Sequence, residues 1–131
     1  MEVFFKDGNI ATKNLTPGLK VYDEKLINEE KDGVIEEYRI WNPRRSKLSA
    51  ALLNGLERLN LNDDSKVLYL GASTGTTVSH ISDIAKDGLI YAVEFSPVSM
   101  KKLVRLSETR PNILPILADA TKPKYYLNKV E

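Results

Sequence analysis

One stretch of this chain restricts its fold more than any other: VLYLGASTGTT at positions 67–77, followed by YAVEF at 91–95. The apolar residues before the first glycine are typical of a parallel strand that is covered on both faces. Gly71 and Gly75 can adopt positive φ and, without a Cβ atom, let a ligand approach the backbone. Glu94 ends the next apolar run, where a carboxylate can accept hydrogen bonds from both hydroxyls of a ribose. The order strand, glycine turn, strand and carboxylate predicts a nucleoside-type pocket.

Two further features agree with such a pocket. Thr76 and Thr77 begin a predicted helix, whose first N–H groups can face a polar ligand. A third apolar run at 113–118 ends at Asp119, which can accept from an adenine amine, although Asp in this position is also a common helix cap. The glycine spacing is G-x-x-x-G and differs from the G-x-G-x-x-G of dinucleotide dehydrogenases, which disfavours a nicotinamide-dependent oxidoreductase.

Five motifs in order carry a resemblance to a known family. They are YRIWNPRRSKL at 38–48, YLGASTGTT at 69–77, SHISD at 79–83, YAVEFS at 91–96 and DATKP at 119–123. Together they resemble fibrillarin in its archaeal form. The similarity runs from about Tyr38 onward, and the first 37 residues resemble the family's small N-terminal β domain more loosely. Val98, Lys101 and Lys102 depart from the family, which usually has arginine and an arginine–acid pair there.

The resemblance implies an S-adenosylmethionine-dependent RNA 2′-O-methyltransferase for rRNA and tRNA. Its expected partners are a Nop-domain scaffold protein, a box C/D guide RNA and the target RNA. Lys47 matches the position of a catalytic lysine, and Arg44 and Arg45 are candidates for RNA phosphates. The implied cofactor-binding residues are Gly71, Thr76, Thr77, Glu94, Phe95, Asp119 and Ala120. A non-catalytic module that binds the scaffold protein is the alternative.

Composition adds limits to this interpretation. The 131 residues carry a formal net charge of +1, so any RNA contact must be local or must depend on partners. Without cysteine there is no disulfide or thiolate metal site, and His80, the one histidine, predicts a structural role and no metal site. We find no basic, apolar leader and no run of about 20 apolar residues, so we expect an intracellular protein, cytoplasmic in an archaeon, without membrane contact.

The fold class expected is α/β. Residues 1–40 predict a small antiparallel β domain, with strands near 3–5, 9–12, 20–22 and 34–38. Residues 41–131 predict the first half of a Rossmann-like class I S-adenosylmethionine-dependent methyltransferase sheet, in the order β-α-β-α-β. Its expected helices begin at Asn42-Pro43, at Thr76 and at Ser96-Pro97. The first helix is expected to bury Leu48, Ala51, Leu52, Leu56 and Leu59 and to leave Arg58 on its polar side.

Three aromatic side chains can serve either the core or a ligand. Trp41 is expected to be a core anchor, with base stacking as the alternative. Tyr125 and Tyr126 are expected to be core residues as well.

In the family, the chain continues after a position like Val130 into strands that bear a further Asp and Lys. Without them, the strand at 67–70 is left as an exposed apolar edge. Three explanations stay open: a shortened form of a longer protein, a split protein whose second half is another chain, or a half-pocket used only for binding. We expect the 131 residues alone to transfer no methyl groups.

Overall fold

The computed structural model describes residues 1–56 and 59–130, which form two β-sheets. The first sheet is antiparallel, with the order β1-β2-β4-β3. Its strands are β1 (Phe4–Lys6), β2 (Asn9–Lys13), β3 (Leu26–Lys31) and β4 (Val34–Ile40). Asp7 and Gly8, and likewise Asp32 and Gly33, have φ between 52° and 79°. Such positive angles suit two-residue hairpin turns, as these Asp-Gly pairs predict.

The third strand of the first sheet differs from the prediction. Residues 20–22 lie in an irregular loop, so the strand expected there is wrong. The strand is formed instead by Leu26–Lys31, which pairs along its whole length with β4. Its last four residues, Asn-Glu-Glu-Lys, are solvent-exposed. The pairing with β4 therefore stabilises a strand that hydrophobic alternation could not reveal.

Helix α1 (Lys47–Leu53) begins later than the sequence predicts. The Asn42-Pro43 pair forms a turn, and the side chain of Ser46 caps the helix by accepting from the Ser49 N–H group. The helix ends before Leu56, which is 41% exposed, so the expected burial of that side chain is wrong. The expected placement of Arg58 lies outside the described residues.

The second sheet contains three parallel strands in the order β5-β6-β7, and the predicted β-α-β-α-β order is confirmed. The elements are β5 (Lys66–Leu70), α2 (Thr76–Ile84), β6 (Leu89–Glu94), α3 (Pro97–Thr109) and β7 (Ile113–Leu117). Ser96 caps α3 by accepting from the Ser99 N–H group at 3.3 Å, with Pro97 in the first turn as expected. Two 3-10 helices follow, Pro123–Tyr125 and Leu127–Lys129.

The main hydrophobic core lies on one face of the second sheet. It joins residues of α1, α2 and α3 to Ile10 and Trp41 from the N-terminal part. The inner face of α2 is formed by Val78, Ile81 and Ile84, which are at most 5% exposed. This burial is the main stabilising contribution to the fold.

The opposite face of the second sheet is only partly covered. Tyr126 packs there on Tyr91 and Val93, but Leu68, Leu70 and Leu114 remain 38%, 49% and 42% exposed. Within the described chain β5 is an edge strand. Cover on both faces is therefore wrong for β5, whereas the predicted exposed apolar edge is confirmed.

A network of four buried charges joins the first sheet to α2 and α3. Arg39 on β4 contacts Glu24 through Nε and Oε2 at 2.7 Å, and contacts Asp83 on α2 through Nη1 and Oδ2 at 2.8 Å. Asp83 Oδ1 also accepts from Arg110 Nη1 at 2.7 Å. All four side chains are fully buried. Two cations balance two anions, as buried charges require.

His80 lies beside this network as a neutral ring. Burial, together with the charges of Arg39 and Arg110, holds the pKa of His80 well below 6.5. The Thr12 hydroxyl donates to Asp83, so its oxygen accepts from His80 Nδ1–H at 2.8 Å. Nε2 is then the acceptor for the Tyr22 hydroxyl. The structural role predicted for His80 is confirmed. No helix within residues 1–56 and 59–130 is long and apolar enough to cross a membrane.

Candidate functional site

The segment between β5 and α2 is a tight turn anchored to the end of β6. The N–H groups of Gly71 and Ala72 both donate to the carbonyl oxygen of Val93, each at 2.9 Å. Gly71, Ser73 and Gly75 have φ of 79°, 53° and 96°. The predicted glycine turn therefore lies at the carboxyl ends of two neighbouring strands, where open α/β sheets bind ligands.

Gly71 and Gly75 are required in the turn for different physical reasons. A Cβ atom on Gly75 would lie 2.6 Å from Leu106 Cδ2 and 3.1 Å from Leu103 Cδ1, so this glycine allows α3 to pack closely. A Cβ atom on Gly71 would meet no other atom within 4 Å. Gly71 therefore leaves open space beside the backbone, into which a ligand can fit.

The carboxylate of Glu94 links the turn to the start of α3. Its Oε1 accepts from the Ser73 N–H group at 2.7 Å, and its Oε2 accepts from the Ser96 N–H group at 2.8 Å. An ionised carboxylate has about four lone-pair sites. Glu94 therefore keeps the capacity to accept two more hydrogen bonds, the number that a ribose diol donates.

The first turns of α2 and α1 meet at the same place. Thr76 and Thr77 are the first residues of α2, and the preceding Gly75 has no side chain to cap their N–H groups. The Thr77 hydroxyl donates to Ser46 Oγ at 2.9 Å, and Ser46 caps α1. This contact places Lys47, the exposed first residue of α1, beside the beginning of α2.

Asp119 follows β7 at the same end of the sheet. Its Oδ1 accepts from the N–H group and the hydroxyl of Thr121, at 2.9 and 2.7 Å, and these hydrogen bonds lower the pKa of Asp119. Asp119 thus stabilises a turn, while its Oδ2 takes no hydrogen bond from the part of the chain that the structure describes. The Ala118 N–H group donates to the Glu94 carbonyl at 3.1 Å, which brings the two strand ends together.

The remaining predicted cofactor residues are neighbours of these two carboxylates. Phe95 follows Glu94 directly and is 70% exposed. The Ala120 carbonyl accepts from the buried Tyr126 hydroxyl at 2.7 Å. All seven predicted cofactor residues therefore lie at the carboxyl end of the second sheet, where their ligand-binding roles stay predictions. Tyr126 is a core residue as expected, whereas this expectation is wrong for Tyr125, which is 58% exposed.

The two arginines predicted to bind RNA lie in the turn before α1, and both are exposed. Arg45 Nη1 donates to the Tyr22 carbonyl at 3.1 Å, and the guanidinium lies 5.5 Å from the Tyr22 ring centre. The Arg44 N–H group donates to Asn42 Oδ1 at 2.9 Å. Trp41 is fully buried and stacks on the His80 ring, so it is a core anchor and the base-stacking alternative is wrong.

The chain is similar to known proteins over nearly its whole length. The family model described as Fibrillarin matches residues 2–131. The chain belongs to the fibrillarin family. It is 54% identical over 129 residues to the fibrillarin-like rRNA/tRNA 2′-O-methyltransferase of Methanothermobacter thermautotrophicus, covering 98% of this chain and 56% of that protein. It is also 54% identical to the protein of the same name from Methanocaldococcus jannaschii, covering 99% and 56%.

Solved fibrillarin structures agree with this assignment. Aeropyrum pernix fibrillarin, determined with natively bound S-adenosyl-L-methionine, superposes with a TM-score of 0.86 at 50% identity, over 94% of this chain and 52% of that one. The fibrillarin of a fibrillarin/Nop5p complex superposes with a TM-score of 0.81 at 46% identity, over 98% and 56%. The α/β fold class is therefore confirmed. The chain spans about half the length of the curated relatives that it matches.

The buried charge network of Glu24, Arg39, Asp83 and Arg110 is not among the sequence predictions. Arg39 lies in the apolar context Tyr-Arg-Ile, and its partner Asp83 is 44 positions away. A cation between two apolar residues, Tyr38 and Ile40, was the one signal that could have indicated a buried ion pair. The sequence does not identify its partner, because the pairing depends on how the first sheet packs on α2.

Proposed function

We propose that this fibrillarin-family chain is part of an RNA 2′-O-methyltransferase that acts on the ribose 2′-hydroxyl of rRNA or tRNA. The observation that carries the proposal is the position of Glu94, which ties the glycine turn to α3 and keeps acceptor capacity for a ribose diol. The names of the two relatives, and the S-adenosyl-L-methionine bound to Aeropyrum pernix fibrillarin, support the reaction class.

The residues present fit S-adenosylmethionine as cofactor. Gly71 leaves space beside the backbone, Glu94 can accept from the ribose, and the free Oδ2 of Asp119 can accept from the adenine amine. Thr76, Thr77, Phe95 and Ala120 complete the proposed binding set. When bound, the cofactor supplies a methyl group carried on a sulfonium. The role of the protein is to hold this methyl group in line with the ribose hydroxyl. Such positioning is a large source of catalysis.

Lys47 is the proposed catalytic residue of this chain. Lys47 is the first residue of α1, and the Ser46–Thr77 hydrogen bond joins this end of α1 to the first turn of α2. A cation near the ribose hydroxyl favours its deprotonated, more nucleophilic form. We assign Lys47 this role toward the substrate and not toward the cofactor.

The proposed partners follow from the same family assignment. Arg44 and Arg45 bind phosphates of the target RNA, which is selected by a box C/D guide RNA. A Nop-domain scaffold protein binds the complete enzyme, a proposal that the solved fibrillarin/Nop5p complex supports. The strands that complete the second sheet come from the rest of the protein or from another chain. The intracellular location expected from the sequence stays a prediction.

A second candidate function is a non-catalytic module that binds the scaffold protein. The observation in its favour is that a fibrillarin of 46% identity was solved in complex with Nop5p. Such a module needs the surface of the chain but neither the cofactor nor Lys47.

Calorimetry of the complete protein tests the main proposal. We expect S-adenosylmethionine to bind and NAD, the control dinucleotide, to give no heat of binding. Transfer of a labelled methyl group to a guided RNA then tests the reaction itself. Absence of cofactor binding in a folded protein that still captures the scaffold protein would favour the interaction module.

A further inference from the structure

A groove of about 580 Å³ begins at the glycine turn and runs along α3. One end is formed by Thr74 and Thr76. One wall is the loop at 16–23 together with Arg45, and the other wall is the outer side of α3. We call it the basic groove and define it by Lys20, Tyr22, Arg45, Lys102, Arg105 and Thr109, all of which line it.

The exposed cations of the basic groove have no ion-pair partner within residues 1–56 and 59–130. None of Lys20, Arg45, Lys102 or Arg105 belongs to an ion pair there, and Asp23 is the one acidic residue in the groove lining. The first sheet differs: Lys6, Lys13 and Lys25 pair there with Glu29, Glu36 and Asp7. Because the whole chain carries a net charge of only +1, this local excess of positive charge is a specific feature of the groove.

Two of the cations lie on the same side of α3 as a threonine. Lys102, Arg105 and Thr109 follow one another at helical spacings of three and four, so they share one side of α3 over about 10 Å. On the facing wall, the guanidinium of Arg45 is held by the Tyr22 carbonyl and lies over the Tyr22 ring. The groove therefore presents positive charge from both walls to one extended ligand.

We propose that the basic groove binds the sugar–phosphate backbone of the target RNA strand next to the nucleotide that is methylated. This inference rests on the proposed function, because it takes the target ribose to be beside Lys47, next to the cofactor that Glu94 binds. One end of the groove is lined by Thr74, in the turn that Glu94 anchors, and by Thr76, the first residue of α2, so a strand leaving the reactive site enters it directly. Evenly spaced phosphates match cations on both walls, and threonine hydroxyls can donate to the same oxygens.

A salt series on matched lysine variants tests the groove. Lys101 and Lys102 are adjacent, exposed and equally charged, but only Lys102 lines the groove. Affinity of the full chain for a fluorescent single-stranded RNA is measured by anisotropy at several salt concentrations. For Lys102→Ala we expect the slope of log affinity against log salt to fall by about 0.7, which corresponds to about fivefold weaker binding at 0.1 M salt. Lys20→Ala, on the facing wall, is expected to act similarly, and Lys101→Ala is the control.

Three outcomes distinguish the possibilities, with circular dichroism confirming that each variant is folded. Equal slopes for Lys102→Ala, Lys101→Ala and the unaltered chain overturn the groove proposal. Loss of binding to polyglutamate, with RNA binding unchanged, overturns it in favour of an acidic protein segment. Cofactor affinity is measured on the same samples. If S-adenosylmethionine fails to bind even the unaltered complete protein, the proposed function fails, whereas the RNA slopes still decide whether the groove binds RNA.

Discussion

At the scale of single residues, Glu94 joins two backbone segments and is also the proposed ribose ligand. We expect Glu94→Ala in the complete protein to weaken S-adenosylmethionine binding by about 1.5–3 kcal/mol, the usual contribution of hydrogen bonds to a charged group. Calorimetry measures this change. Glu108→Ala, an exposed change on α3, is the control. Unchanged affinity in Glu94→Ala contradicts the assignment.

Lys47 permits a second prediction, which separates substrate from cofactor. Because this lysine is proposed to favour the deprotonated ribose hydroxyl, Lys47→Ala should lower kcat and leave cofactor affinity nearly unchanged. Methyl-transfer kinetics and calorimetry on the same preparation measure both quantities. Lys86→Ala, an exposed change just beyond the other end of α2, should alter neither. A parallel loss of cofactor affinity would instead make Lys47 a binding or folding residue.

His80 makes stability depend on pH in a defined direction. Its folded-state pKa lies well below 6.5, so near and below pH 6.5 the unfolded chain binds a proton that the folded chain does not. The free energy of unfolding should therefore decrease as the pH falls below about 6.5, by up to about 1.4 kcal/mol per pH unit. Urea unfolding at pH 7.5 and 5.5 measures this decrease. The decrease should be smaller in His80→Gln, and an identical decrease in both proteins would contradict this origin.

At the scale of secondary-structure elements, the glycine turn sets the distance between α2 and α3. Gly71→Ala meets only the strain of a positive φ, about 1–2 kcal/mol. Gly75→Ala meets this strain and a contact of 2.6 Å with Leu106 on α3, so its free energy of unfolding should decrease further. Urea unfolding of the two variants compares them directly. Equal losses would show that α3 shifts without energetic cost.

The same scale explains which elements the sequence predicts. Strands β6 and β7 are apolar runs beside capped helices, and their order follows from that pattern alone. Strand β3 could not be predicted, because its pairing with β4 stabilises exposed, charged residues. Helix α1 starts later than predicted because Asn42 and Ser46 are both good cap residues. The hydrogen bond between Ser46 and Thr77 favours Ser46 as the cap. The carboxyl-end position of Glu94 and Asp119 was predictable, whereas the basic groove needed the fold of the loop at 16–23.

At the scale of the whole molecule, the uncovered edge and face of the second sheet determine how the chain associates with itself. Leu68 and Leu70 lie on the exposed face of edge strand β5, and such apolar edges pair with other chains. We expect a polypeptide of residues 1–131 alone to associate as its concentration rises. Sedimentation velocity should show less association for Leu70→Lys, and the same change at exposed Val34, on the first sheet, is the control. A concentration-independent monomer would contradict this expectation.

The four buried charges have a consequence for how this architecture can be inherited and engineered. Glu24 and Arg39 come from the N-terminal part, whereas Asp83 and Arg110 come from the α/β part. Exchange of residues 1–40 with those of an unrelated protein would keep the Asp83–Arg110 pair but would remove Arg39, the second partner of Asp83. A chimera should therefore be more stable when the donor segment brings an acid at position 24 and an arginine at position 39 than when it brings neither. The N-terminal part and the α/β part are therefore best transferred together in an engineered protein.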